Sequence, residues 1–164
     1  LRSRGLGDVY KRQEKADEDR IPKKVMRMFM CQYLLSKTYK DMFDENKILS
    51  AYSDETERFE AHHIIPLGTV KKVGESTKKL RDDEKNICNS PLNFVYITKK
   101  ANKEISDESL KDYVQKINAE AKAKLHITAY TNSDIPQDQV KQILRERYDF
   151  LKGDIRERIS TLLS

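Results

Sequence analysis

Apolar residues recur at steps of three and four along several stretches of this chain, and only two short runs between them read as strands. The longest stripe follows Pro136: Val140, Leu144, Tyr148, Leu151, Ile155, Ile159 and Leu162. It predicts a helix over about 137–163, opened by the proline and interrupted by Gly153, which costs about 1 kcal/mol relative to Ala. Such a stripe is a docking face, not a reaction centre. Met26, Phe29, Met30, Tyr33 and Leu34 predict an amphipathic helix over roughly 23–38, and Leu110, Tyr113, Val114 and Ile117 predict another over roughly 109–123, capped by Asp107 or Ser109. The strands are Arg58-Phe-Glu-Ala-His-His-Ile-Ile-Pro66, stopped by its proline, and Phe94-Val-Tyr-Ile-Thr98, rich in β-branched and aromatic residues. Lys99 to Ile105 reads as a short helix after the second strand. The fold class this implies is α+β, a small two-stranded centre set in a mostly helical domain.

Between the strands, Gly68 to Lys85 is polar and lysine-rich and reads as a loop of about 18 residues, a length that is often functional. Apolar stretches stay well short of the about 20 residues that a membrane-spanning helix needs, and no secretory core follows the basic start, so no membrane association is expected. Cys31 and Cys88 are the two cysteines. They form neither a disulfide framework nor a CxxC zinc knuckle, read as small core residues, and fit a reducing cytoplasm.

The net charge of +5 suggests nucleic acid, but its distribution weakens the point. Arg2, Arg4, Lys11 and Arg12 against Asp8 place +3 in residues 1–13, leaving +2 for the remainder. That segment has no apolar periodicity and resembles a translated adapter at the end of an assembled reading frame. It is expected to be non-native, with the true chain continuing upstream.

The chemistry concentrates elsewhere. Two of the three histidines, His62 and His63, are adjacent on the first strand, where neighbours point to opposite faces. Glu60 shares a face with His62. Downstream stand Asn86, Asn89, Asn93, just before the second strand, and Asn102, about one turn into the short helix. His126, on an apolar segment, reads as structural. Lys71, Lys72, Lys78 and Lys79 read as a solvated loop. Lys99, Lys100 and Lys103, on the helix of Asn102, are better candidates for phosphate contacts.

Paired histidines, a long loop, Asn93, a strand and a helix with Asn102 form an order that resembles the HNH, or ββα-metal, nuclease fold. The matching residues are Glu60-Ala-His-His-Ile-Ile-Pro66 and Leu92-Asn-Phe-Val-Tyr-Ile-Thr-Lys-Lys-Ala-Asn102, with the family's step of nine between the two asparagines. Asn102-Lys-Glu-Ile-Ser-Asp107, the helix with Tyr113, and Tyr148-Asp-Phe-Leu151 are similar to the C-terminal nuclease region of GmrSD-type restriction proteins. The resemblance implies four segments: non-native 1–13, a helical lead-in 14–55 from the end of a missing upstream region, a nuclease core 56–106, and a C-terminal helical region 107–164.

It also implies roles. His63 is the general base, His62 and Asn102 bind the metal, and Asn93 hydrogen-bonds the long loop and orients His63. Glu60 stands behind His62, steering its tautomer or adding charge. Where such families carry a further histidine ligand, this chain has Ser106. The residue types suit phosphodiester hydrolysis: a histidine is a natural base near neutrality, and a divalent ion polarises a phosphoryl oxygen. One imidazole and one amide oxygen leave an open coordination sphere, which suits Mg²⁺ better than structural zinc, with Mn²⁺ or Ni²⁺ as alternatives. The expected activity is metal-dependent DNA cleavage in prokaryotic restriction or antiphage defence. The expected partner besides DNA is an upstream nucleotide-binding, ParB-like module. A non-catalytic DNA-binding module on the same shell, or a ribonuclease toxin of that fold, stays open.

Overall fold

The structure, a computed structural model, describes residues 23–49, 58–70, 74–83, 85–106, 108–127 and 135–164. Segment 1–13 and Asp107 lie outside the described residues. The helices are α1 (Lys23–Lys37), α2 (Leu67–Val70), α3 (Thr77–Asp82), α4 (Lys99–Ile105), α5 (Leu110–Tyr113), α6 (Ala119–Leu125) and α7 (Gln137–Leu163). The strands are β1 (Phe59–His63) and β2 (Phe94–Thr98), and three 3₁₀ turns cover Ile87–Asn89, Pro91–Asn93 and Val114–Lys116. The fold is α+β. Among the described residues no helix is long and apolar enough to cross a membrane.

β1 and β2 pair antiparallel, with Glu60 opposite Ile97, His62 opposite Val95 and His63 opposite Phe94. A two-stranded ribbon is marginal alone, and helices complete it. α4 packs on both strands and α1 on β2. Val95 and Ile97 are fully buried beneath them and join one core with Tyr33 and Leu34 of α1, Leu110 and Tyr113 of α5, and Val140, Leu144 and Leu151 of α7. The helix of the lead-in therefore belongs to the same core as the hairpin.

β2 runs into α4 with no intervening loop. Thr98 caps the helix, its side chain accepting the Ala101 N–H at 3.2 Å, and its own N–H donates to the buried carboxylate of Asp41 at 2.6 Å. Asp41 also accepts the Phe43 N–H, so the segment after α1 is pinned to the strand–helix junction. This junction places Asn102 one turn into α4, beside β1.

Three sequence expectations need correction. The loop over 68–85 is partly helical, since α2 and α3 lie within it, and Gly74 turns between them at φ +82°. The helix over 109–123 is broken. Ile117 leaves helical conformation at ψ 136°, and Asn118 starts α6 by accepting the N–H groups of Glu120 and Ala121 at 2.8 and 3.2 Å. Its apolar face still packs, because Leu110, Tyr113, Val114 and Ile117 are all buried. Cys31 is only half-buried, whereas Cys88 lies in the core. α7 matches its predicted span, but the stripe leaves the body at its far end: Ile159 is 51% and Leu162 84% exposed. His126 ends α6 at φ 51° and stacks on Phe150, with centroids 4.3 Å apart.

Candidate active site at the end of the hairpin

His62 and His63 sit on opposite faces at the end of β1, and each meets an asparagine. His62 is buried, with Nδ1 at 2.9 Å from Asn102 Oδ1. The Asn102 amide is turned by Glu60, whose Oε2 accepts from Nδ2 at 3.0 Å. Because a carboxylate can only accept, the nitrogen must face Glu60 and the oxygen must face His62. Glu60 thus reaches His62 through Asn102. The His62 ring lies edge-on to Tyr113, centroids 5.4 Å apart, and the Tyr113 hydroxyl donates to the Ile64 carbonyl. Burial lowers the His62 pKa, with the Asn102 bond and the charge of Asp41 opposing. Among the described residues its Nε2 is buried without a partner, while Nδ1 faces Asn102 and carries the ring proton, because an amide oxygen only accepts.

His63 is less deeply buried. Its ring packs on Phe94 at 4.4 Å, and its Nε2 lies 3.2 Å from Asn89 Oδ1. Burial pushes its pKa down to about 4. The charges of His62, Arg81 and Arg27 add to this, and the Asn89 bond opposes it. At neutral pH the ring is therefore uncharged and able to take a proton.

Asn93 is fully buried and does not meet the His63 ring. Its Oδ1 accepts the Ile65 N–H at 2.9 Å, and its Nδ2 donates to the carbonyls of Ile65 and Cys88 at 3.1 and 2.8 Å. Its own carbonyl takes the Ile64 N–H at 2.8 Å. These bonds join the two ends of the long connection. The His63 ring meets Asn89 instead, one of the four asparagines between positions 86 and 102 and not among the site residues read from the sequence.

A cleft of about 440 Å³ opens here, lined by His62, His63, Asn89, Asn102 and Ser106 and by two cations that sequence reasoning missed, Arg27 of α1 and Arg81 of α3. Arg27 lies over the Phe94 ring at 5.1 Å and donates to the Asn89 carbonyl at 3.3 Å. Among the described residues neither arginine is paired with a carboxylate. Lys99, Lys100 and Lys103 do not line this cleft; Lys100 and Lys103 are exposed, and Lys100 lies 3.9 Å from Glu104. The signal for Arg27 is faint in the sequence, since it lies off the apolar stripe of α1, on an exposed position.

His62 Nδ1, once the proton that Asn102 Oδ1 accepts has moved to Nε2, and Asn102 Oδ1 are the donors that could hold a divalent ion. Both donors are neutral, and among the described residues no group of three His, Cys, Asp or Glu side chains is placed to hold a metal. The donor set is open and of low charge, unlike a closed structural zinc site.

Comparison with known families places this geometry in context. The family described as GmrSD restriction endonucleases, C-terminal domain, matches residues 8–152, a span that includes the hairpin, the cleft and most of α7. No curated protein and no solved structure matches the chain. By that match the chain belongs to the C-terminal domain family of the GmrSD restriction endonucleases.

Proposed function

We propose that this domain is an HNH-type, metal-dependent endonuclease that hydrolyses DNA phosphodiester bonds as the nuclease part of a prokaryotic restriction or antiphage protein. The observation that carries the reading is convergence. The adjacent His62 and His63 and the distant Asn102 meet, at one cleft, two arginines that among the described residues have no carboxylate partner. Family membership supports nuclease activity; the metal, the duplex substrate and the residue roles belong to this proposal.

In this reading His63 accepts a proton from water. The water oxygen bonds to phosphorus, the P–O3′ bond breaks, and the leaving alkoxide is protonated from solvent, to which His63 later returns its own proton. Arg27 and Arg81 hold the phosphate, and its negative charge offsets two of the charges that keep His63 weakly basic. His62 and Asn102 would hold Mg²⁺, or Mn²⁺ or Ni²⁺, which would polarise the phosphoryl oxygen and offset charge on the leaving oxygen. Asn93 keeps the connection between the strands in place, and Glu60 keeps Asn102 turned towards His62. An upstream ParB-like nucleotide-binding module, in the same or a partner chain, would govern which DNA is attacked.

The test is nicking of supercoiled plasmid with Mg²⁺ or Mn²⁺. EDTA should stop it, and His63→Ala should lower the rate at least about 100-fold while leaving the thermal melt unchanged. Duplex binding without nicking would point to a non-catalytic module, and faster cutting of single-stranded RNA than of duplex DNA to a ribonuclease. Undiminished nicking by His63→Ala would remove His63 as the base.

A further inference from the structure

The orientation of the Asn89 amide decides which nitrogen of His63 can act. Asn89 ends the first 3₁₀ turn and is 1% exposed. Its Nδ2 faces three carbonyl oxygens at the end of α3: Leu80 at 2.7 Å, Asp83 at 2.8 Å and Arg81 at 3.2 Å. Turned the other way, the amide would set its oxygen against three acceptors in a buried place, with no donor for any of them. The network therefore assigns Nδ2 to α3 and Oδ1 to His63.

An amide oxygen only accepts, so the His63 Nε2 that faces it must carry the proton. A neutral imidazole has one N–H, which leaves the lone pair on Nδ1. Among the described residues Nδ1 has no hydrogen-bond partner, and it is not among the buried polar atoms left unpaired. We propose that Asn89 is the positioning residue of this site, fixing His63 in the Nε2–H tautomer and so making Nδ1 the atom that takes the proton from water. The inference rests on the nuclease reading for its consequence, but the tautomer itself can be read without activity.

Asn89 also ties the cations to the same reference point. Its side chain holds the end of the helix that carries Arg81, and its carbonyl accepts from Arg27. Base and cations therefore share one buried anchor, which lies outside the histidine and asparagine positions that the sequence resemblance singles out.

Long-range ¹H–¹⁵N correlation spectra of the full chain test this directly, with the His63 signals identified by their loss in His63→Gln. Wild type should show Nε2 protonated and Nδ1 bare, as a single tautomer. Asn89→Ala, which removes the acceptor, should give mixed tautomers. In the nicking assay Asn89→Ala should lower kcat at least tenfold with KM for DNA within twofold of wild type. An Nδ1–H tautomer in wild type overturns the proposal, and that reading does not depend on Asn89→Ala folding. So does a wild-type tautomer preserved in Asn89→Ala. A wild type that holds the Nε2–H tautomer yet never nicks overturns the nuclease reading and leaves the assignment of Asn89 intact.

Discussion

Asn93 pairs with the backbone of Ile65 through both ends of its amide, as a neighbouring strand would. The side chain takes over where β1 has ended, and its second N–H reaches Cys88 on the far side of the intervening connection. One buried residue thus closes a long connection whose ends would otherwise present unpaired polar backbone.

Removing that amide should destabilise the whole domain. Asn93→Leu leaves a buried N–H and two carbonyls unpaired, each worth about 1–3 kcal/mol. Since strain and water entry reduce such sums, the expected loss is about 2–4 kcal/mol, read as a lower urea midpoint with an unchanged m-value. Wild-type stability in this variant would show that the pairing contributes little.

Among the described residues Glu60 meets the proposed metal pair through Asn102, whose amide it turns. Glu60→Ala should therefore weaken Mn²⁺ binding about 10-fold or more, measured by calorimetry, without displacing the strands in NMR spectra. Unchanged affinity would remove Glu60 from the site.

Arg27 and Arg81 line the cleft, whereas Lys103 does not. Arg27→Ala and Arg81→Ala should each weaken duplex DNA binding and reduce the slope of log K against log salt by about 1. Lys103→Ala should leave that slope within about 0.3 of wild type. The opposite ranking would return phosphate contact to the lysines of α4.

Asp154 on α7 accepts from Lys37 at 2.8 Å and from the Tyr33 hydroxyl, and lies 3.1 Å from Arg158. Burial alone would raise its pKa, but the bonds from Lys37 and Tyr33 and the charges of Lys37 and Arg158 hold it below the ordinary value. A carboxylate depressed in the folded state adds stability above its unfolded pKa of about 3.9. That contribution is lost as pH falls through the folded value. Wild type should exceed Asp154→Asn in urea midpoint at pH 7, and the gap should close at pH 2. A gap independent of pH would exclude this linkage.

Arg147 is buried to 1% exposure and donates to the carbonyls of Leu92 and Leu125; among the described residues it has no carboxylate partner and its Nη2 is unpaired. Arg147→Ala leaves a cavity and two unpaired carbonyls and should cost about 3–5 kcal/mol, seen as a large drop in Tm. A small drop would mean that relief from burying the charge offsets those losses.

Much of this architecture could be read from residue spacing. α1, β2, α4 and α7 fall where periodicity puts them, because each is an apolar pattern with clear ends at Pro22, Thr98 or Pro136. Periodicity did not reveal the break before Asn118, since the same apolar face continues across it while a side-chain cap redirects the backbone. α2 and α3 escaped notice because short helices in polar sequence are held by tertiary contacts rather than by a stripe. Within the site, the spacing of asparagines marked Asn93 and Asn102, but Asn89, Arg27, Arg81 and Asp41 gain their importance only from what folding brings beside them.

The seamless passage from Thr98 into Lys99 has a mechanical consequence. Asn102 rides on a lever without a hinge, so its bearing on His62 is set by residue count alone. One amino acid added between Thr98 and Asn102 would swing that carboxamide about 100° round the helix axis, while a deletion would turn it equally far in the other sense. The stretch should therefore tolerate substitution of its outward side chains far better than any change in its length.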